Sequence, residues 1–298
     1  MASAKLWLRA SRPFSFTASV TPVLLGTALA WYRGYFNALY FLAALLGALL
    51  LHAGSNLIGD YFDYKKQVDR EGTLGGSGVL VEGLLRPKAV FIGGLTAFAG
   101  VALIGVYLIA VRGIPILVLG LTGMLGGFFY TADPVEYKYK ALGDVGIFLL
   151  FGPLIVLGAD YVQTGQLSWL PVWVSLPIAL LVTGILHSNN FRDIRNDAAA
   201  GIKTFAMVLG EKNSVAVFTG MIALAYLLTI SLIIGGIMPL WSLMVLLSLP
   251  SAFKVLQAVQ SKEGNRQKGV AAADVMTARL HMQFGVLLTL AFVLEKIM

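Results

Sequence analysis

Apolar residues along this chain do not alternate with polar ones on a short period. They fall in long runs, broken by brief polar segments. A helix needs roughly 20 mostly apolar residues to cross the hydrocarbon of a bilayer. Nine runs reach or approach that length: 14–32, 36–58, 88–110, 114–131, 143–161, 168–189, 213–235, 238–258 and 275–295. Inside lipid every backbone polar group must find its partner within the protein, which favours helices. The pattern therefore predicts an all-α membrane protein, a bundle of nine transmembrane helices forming one domain over residues 1–298. The fourth run is short and carries Gly120, Gly123, Gly126 and Gly127, small residues that let helices approach closely. The first run follows a short basic segment and precedes further spans, so it reads as a start-transfer helix that is retained.

Composition and charge sharpen this picture. The chain is 58% hydrophobic and only 12% charged, against about a quarter charged in an average soluble domain, and its mean hydropathy is +0.81. Of the 22 Lys and Arg residues, 19 flank the N-terminus and the loops near 59–87, 132–142, 190–212 and 259–274; the opposite side has Arg33, Arg112 and Lys296. The positive-inside rule makes the richer side cytoplasmic. The expectation is a plasma (inner) membrane protein with its N-terminus inside, its C-terminus outside and cytoplasmic cap loops. Thirteen of the 15 acids follow the same side, the exceptions being Asp160 and Glu295, which puts the chemistry at the cytoplasmic end. The net charge of +7 sits in short loops, where membrane lipid headgroups and an anionic substrate are better partners than nucleic acid. The absence of cysteine excludes disulfides, thiolate metal sites and cysteine nucleophiles. His52, His187 and His281 are too scattered to predict a zinc site.

Two polar clusters carry the candidate chemistry. Asn56, Asp60 and Asp63 lie at i, i+4 and i+7 at the end of the second run; Asn189, Asp193 and Asp197 lie at i, i+4 and i+8 at the end of the sixth. On a helix each set shares one face. Carboxylates one turn apart form a hard oxygen site suited to Mg²⁺, which takes few protein ligands and leaves room for phosphate oxygens. Facing clusters of this kind, ringed by Lys66, Arg70, Lys138, Lys140, Arg192 and Lys203, fit the departure of a diphosphate from an allylic carbon. An apolar tail would then lie between helices. Tyr130 and the run Tyr137-Lys138-Tyr139-Lys140 read either as diphosphate contacts or as an interfacial anchor. Gly75-Gly76-Ser77-Gly78 reads as a lid or turn, since no strand precedes it. His187 reads as a packing residue.

These motifs resemble the UbiA superfamily of intramembrane aromatic prenyltransferases. Gly59-Asp60-Tyr61-Phe62-Asp63 is similar to its Asn-Asp-x-x-Asp motif, and Asp193-Ile194-Arg195-Asn196-Asp197 to its Asp-x-x-x-Asp motif. Arg12-Pro13, Tyr130-Thr131, Leu142-Gly143-Asp144, Gly152-Pro153 and Gly201-Ile202-Lys203-Thr204 are similar to the menaquinone branch, which includes 1,4-dihydroxy-2-naphthoate polyprenyltransferases. The resemblance implies Mg²⁺ held by Asp60, Asp63, Asp193 and Asp197, a diphosphate contact at Lys138, and Asp69 near an aromatic acceptor. It implies transfer from a polyprenyl diphosphate. One departure stands out: the family's Asn before Asp60 is Gly59 here, with Asn56 one turn earlier. Competing readings are the same reaction on another acceptor, such as 4-hydroxybenzoate, and a secondary transporter, which also buries acids among Gly-rich helices.

Overall fold

A computed structural model describes residues 3–73, 75–260 and 265–298, with the side chains of 265–269 outside the description. Lys262 and the side chains of Arg266 and Lys268, counted above among the bases of the 259–274 loop, thus lie outside the described residues. The order is α1 (Ala4–Ser11), a 3₁₀ turn at Pro13–Phe16, α2 (Thr17–Tyr32), α3 (Ala38–Lys65), α4 (Pro87–Arg112), α5 (Ile114–Phe128), a 3₁₀ turn at Tyr137–Tyr139, α6 (Gly143–Leu149), a π turn at Leu150–Leu154, α7 (Ile155–Thr164), α8 (Leu170–Ala199), α9 (Phe205–Leu209), α10 (Glu211–Ile234), a 3₁₀ stretch at Leu240–Ser248, α11 (Leu249–Gln260) and α12 (Asn265–Ile297). Among the described residues the only β pairing is an isolated bridge between Lys140 and Lys203.

Eight helical stretches are long and apolar enough to cross a membrane, where nine runs were expected. The fourth run is the short one: α5 has 15 residues, about 22 Å of helix. Gly113, at φ 79°, breaks the chain between α4 and α5, and Pro115 opens the new helix where its missing N–H costs nothing. Two other helices outrun their apolar patterns. The second run was expected to end at 58 and the sixth at 189, yet α3 continues to Lys65 and α8 to Ala199. Hydropathy reports the lipid boundary, whereas the helices persist because their polar ends bury against the loops around them.

The main core joins α2, α8, α10 and α12 through Leu25, Leu29, Ile178, Leu181, Phe218, Phe284 and Leu288. The outer surface is equally apolar: Leu103, Val106 and Ile234 are 74%, 66% and 82% exposed, as a lipid-facing surface requires. At one end, α1 and the 75–86 segment pack over α3 through Ala10, Leu57, Val79, Leu80 and Leu85, forming a cap. At the other end Arg33 pairs with buried Asp160 at 3.0 Å, and Arg112 donates to the carbonyls of Val162 and Gln163 at 2.6 and 2.7 Å. The ring of Tyr32 meets that of Phe292 at 5.8 Å, so the end of α12 lies with this second set of groups, opposite α1.

Gly26 shows how tightly α2 sits on α7. A Cβ there would meet the Val156 carbonyl oxygen, Ala159 Cβ at 2.9 Å and Asp160 N at 3.1 Å. Two of the three obstacles are backbone, so the helices would have to separate. Gly26→Ala is expected to destabilise the protein by about 1–3 kcal/mol, read as a lower melting temperature in detergent. Gly158→Ala, where a Cβ meets nothing within 4 Å, should leave that temperature unchanged or slightly raised.

Candidate active site

Beneath the cap, the ends of α3 and α8 face one another across a cavity of about 360 Å³. Asn56, Gly59 and Asp63 line it from α3; Asn189, Arg192, Asp193 and Asp197 line it from α8. Asp69, Tyr130, Lys138, Arg12 and Asp274 complete the polar wall. The helical spacing thus brings both clusters to one space.

Within it Asp63, Asp193 and Asp274 each have an internal cation. Lys138 Nζ donates to both oxygens of Asp63 at 2.9 and 2.8 Å, and the Tyr139 hydroxyl donates to Asp63 at 2.7 Å. Asp60 turns toward the cap, where Arg12 pairs with it and the Ser77 hydroxyl donates to it. Arg192 donates to Asp193 through Nε and Nη2 at 3.1 and 2.7 Å, and reaches Asp274 at 3.0 Å through Nη1. Asp69 and Asp197 are buried on the same wall. The lining therefore holds five carboxylates (Asp63, Asp69, Asp193, Asp197, Asp274) against three cations (Arg12, Lys138, Arg192).

Outside the membrane-spanning helices this surplus shows in the titrations. Burial, then the charge of Asp63, push the Asp69 carboxyl up to about 6, against the opposing pull of Arg12 and Lys138. Burial works against the charged form of Lys138, but Asp63 and Asp69 more than offset it and hold the ammonium above its ordinary range. Burial drives the Tyr139 phenol upward, with Asp63 adding to it, so Tyr139 stays a hydrogen-bond donor.

A cation fits this wall. Asn189 Oδ1 is buried without a hydrogen-bond partner, a free oxygen ligand one turn from Asp193 on the same face of α8. Among the described residues no three His, Cys, Asp or Glu side chains are gathered closely enough to hold an ion unaided. The protein offers two oxygen half-sites on facing helices, the donor set of an ion that draws its remaining ligands from a substrate's oxygens.

Three expected substrate contacts lie off the cavity. Lys66 is taken by Asp133 at 2.8 Å and by Glu136. Arg70 donates to the carbonyls of Gln67 at 2.9 Å and Asn196 at 3.4 Å. Lys203 is exposed and joined through its backbone to Lys140, whose own ammonium goes to the carbonyls of Pro134 and Val135. Closer partners on the cap outcompete the cavity for Lys66 and Arg70, and Lys203 faces outward. Asn56, expected to bind substrate, donates to Ser11 O at 2.8 Å while lining the cavity. Tyr130 lines it too, its ring edge-on to Tyr137 at 5.3 Å. Gly75 and Gly76 form a turn pressed onto Asp69, where a Cβ at Gly75 would sit 2.9 Å from Oδ1. His187, read as packing, is buried between Asp144 Oδ2 at 2.5 Å and the Ser214 carbonyl at 3.1 Å, and Asn190 donates to the same Asp144 at 2.9 Å.

The sequence reading missed the places of Arg12, Ser77 and Asp274 at this site. Arg12 carried one signal: a base directly before Pro13 at the mouth of the first span. Asp274 carried another, an acid at the edge of the last span. Neither signal says which wall the side chain faces.

A second, apolar cavity of about 390 Å³ lies beside the first, between α3, α4, α5 and the α6–α7 helix. His52, Ser55, Gly127, Leu150 and Phe151 line both. Leu150 and Phe151 stand in the π turn around Pro153, where the missing N–H lets the helix widen. A charged chamber thus adjoins an apolar one across these shared residues.

Comparisons with known proteins agree with this architecture. The model of the UbiA prenyltransferase family matches residues 19–281. The 1,4-dihydroxy-2-naphthoate octaprenyltransferase of Bacillus subtilis (strain 168) is 33% identical over 291 residues, covering 97% of this chain and 92% of that one. The UbiA prenyltransferase domain-containing protein 1 of Homo sapiens is 32% identical over 305 residues, covering 98% and 86%. Among solved structures, a UbiA homolog from Archaeoglobus fulgidus bound to GPP and Mg²⁺ superimposes with a TM-score of 0.66 at 15% identity, over 95% of this chain and 99% of that one. The match over nearly the whole sequence sets aside the transporter reading: the chain belongs to the UbiA prenyltransferase family and is a membrane-embedded prenyltransferase.

Proposed function

We propose that the protein transfers a polyprenyl group from an allylic diphosphate to an aromatic acceptor, 1,4-dihydroxy-2-naphthoate in menaquinone biosynthesis, with Mg²⁺. The observation that carries the reading is the adjoining pair of cavities, one with surplus carboxylates and the other apolar. It matches a molecule with a charged head and a hydrocarbon tail. The naphthoate acceptor rests on the B. subtilis relative together with the menaquinone-branch motifs.

Asp60, Asp63, Asp193 and Asp197 are the proposed metal ligands, with Asn189 beside them. Bound Mg²⁺ would neutralise the charge that develops on the leaving diphosphate. The protein's own part is an exchange of partners. Lys138 leaves Asp63 and Arg12 leaves Asp60 for phosphate oxygens, which frees both carboxylates for the metal. Arg192 stays on the α8 wall, tied to Asp193 and Asp274. Asn56, Asp69 and Tyr130 are placed to meet the acceptor. Lys66, Arg70 and Lys203 act at most on the long-range field, since they are committed elsewhere.

Orientation belongs to the same proposal. The charge bias supports a plasma-membrane protein with the capped end and N-terminus cytoplasmic and the C-terminus outside. Nine crossings are supported by the fold: α1 and the end of α12 lie at opposite ends of the bundle, which demands an odd number of passes. The eight long helices need α5 as the ninth, and a short helix is accommodated by local thinning of the bilayer.

The reading is tested with purified protein, a labelled polyprenyl diphosphate and a choice of 1,4-dihydroxy-2-naphthoate or 4-hydroxybenzoate, with products identified by mass. Prenylated naphthoate is expected; product only with 4-hydroxybenzoate would overturn the acceptor assignment, and none with either would overturn the reaction. Excess EDTA should abolish product and added Mg²⁺ restore it. Asp63→Asn and Asp193→Asn should each lower turnover on the order of 100-fold or more, while Lys66→Gln changes it less than about threefold, in line with an exposed ion pair. Because the chain lacks cysteine, a single Cys at Ser77 reports topology directly. Labelling from the cytoplasmic face is expected, and labelling only from outside would reverse the orientation.

A further inference from the structure

His52 stands where the two cavities meet and lines both. It is buried, with the rings of Phe16 and Phe151 at 5.4 and 5.0 Å. Its two nitrogens face two serines: Nε2 is 3.1 Å from Ser15 Oγ and Nδ1 is 2.8 Å from Ser19 Oγ. The surrounding bonds fix the tautomer. Ser15 Oγ donates its proton to the Arg12 carbonyl at 2.8 Å and accepts from Asn56 Nδ2 at 3.3 Å. Toward His52 it has only an acceptor position left, so Nε2 carries the hydrogen. Nδ1 is then the bare nitrogen, and Ser19 donates to it. Ser15 lines the head chamber and Ser19 the apolar channel, so the three residues form a hydrogen-bonded chain from one cavity to the other.

The allylic carbon of a bound prenyl diphosphate belongs at this junction, since its head is charged and its tail apolar. We propose that Ser19, His52 and Ser15 form a proton relay that completes the transfer, an inference that rests on the prenyl-transfer reading above. A hydroxyl-bearing ring uses its π electrons to form the new carbon–carbon bond, while the carbon–oxygen bond to diphosphate breaks and its electron pair leaves with pyrophosphate. The ring now carries a positive charge and sheds it by losing its hydroxyl proton, which leaves the keto tautomer; this form then enolises, losing the hydrogen of the alkylated carbon and regaining a proton on oxygen. Ser19 Oγ accepts that proton as its own moves to His52 Nδ1. The Nε2 proton moves to Ser15 Oγ, whose own proton turns from the Arg12 carbonyl toward the head chamber and ends on pyrophosphate. Charges and protons balance, and His52 is left as its other neutral tautomer. Asp63, Asp193 and Asp274 are held by Lys138 and Arg192, which leaves Asp69 as the competing base in the chamber. A neutral imidazole also suits the junction, because a lasting positive charge there would oppose the allylic cation.

The test follows two products at once in purified full-length protein: pyrophosphate released and prenylated ring formed, from a labelled polyprenyl diphosphate, 1,4-dihydroxy-2-naphthoate and Mg²⁺. His52→Ala, His52→Gln and Ser19→Ala are compared with the unaltered chain. With the relay broken, ring product should fall roughly 100-fold, while pyrophosphate release falls less than about threefold and the difference appears as prenyl alcohol from water. Added imidazole should restore ring product to His52→Ala, and not to Ser19→Ala. A structural role for His52 predicts that both outputs fall together without rescue, and this result would overturn the relay, as would unchanged ring product in Ser19→Ala and His52→Gln. If the unaltered chain forms neither product, the prenyl-transfer reading fails and not the relay alone.

Discussion

A surplus of carboxylates in a shielded chamber governs this structure. Five acids face three cations in a space closed by the cap and by apolar helices. Taking like charges out of water together is costly unless each has a partner. The chain meets that constraint in part: Lys138 and Arg192 serve Asp63, Asp193 and Asp274, and Arg12 serves Asp60, while Asp69 and Asp197 have no ion pair among the described residues. The shortfall is the useful part. Burial, then the charge of Asp63, lift Asp69 to about 6, and beside these acids Asn189 Oδ1 has no hydrogen-bond partner among the described residues.

Much of the remaining architecture follows from holding those groups in place. The 75–78 turn needs glycine because Asp69 lies against it. Arg12 reaches Asp60 and the Gly75 carbonyl from a residue at φ 55°, where α1 gives way to the turn before α2. Behind α8, Asp144 grips His187 and Asn190, fixing the helix one residue from Asn189, about one turn from Asp193 and about two turns from Asp197. At the far end the Arg33–Asp160 and Arg112 contacts tie α2, α4 and α7, so the two ends of the bundle are fastened separately while the apolar channel between α4 and α5 stays open.

The helices and the acid pairs were legible in the sequence because both are periodic. Runs of about 20 apolar residues announce spans, and Asp60/Asp63 and Asp193/Asp197 announce faces. What was not legible depends on tertiary placement. Lys66 and Lys138 look equivalent along the chain, yet Lys66 falls beside Asp133 and Glu136 on the outside of the cap while Lys138 turns inward to Asp63. Arg12 and Asp274 reach the chamber from the two ends of the sequence. The eighth run, 238–258, reads as one helix but begins as a 3₁₀ stretch at Leu240–Ser248, a local winding that hydropathy does not encode. Gly59 departs from the family's Asn, and the structure gives it room: a Cβ there would meet only Thr131 Cγ2, at 3.9 Å. The departure widens the chamber wall without disturbing the acids.

The central claim is that two separated half-sites become one metal site only when a diphosphate completes it. Mn²⁺ binding by electron paramagnetic resonance, with Mn²⁺ standing in for Mg²⁺, tests this directly in the purified protein with and without a non-hydrolysable prenyl diphosphate analogue. The account predicts weak binding alone and at least a tenfold gain in affinity with the analogue, lost in Asp63→Asn and in Asp193→Asn alike. Equal affinity with and without the analogue, or a gain that survives either substitution, would contradict it.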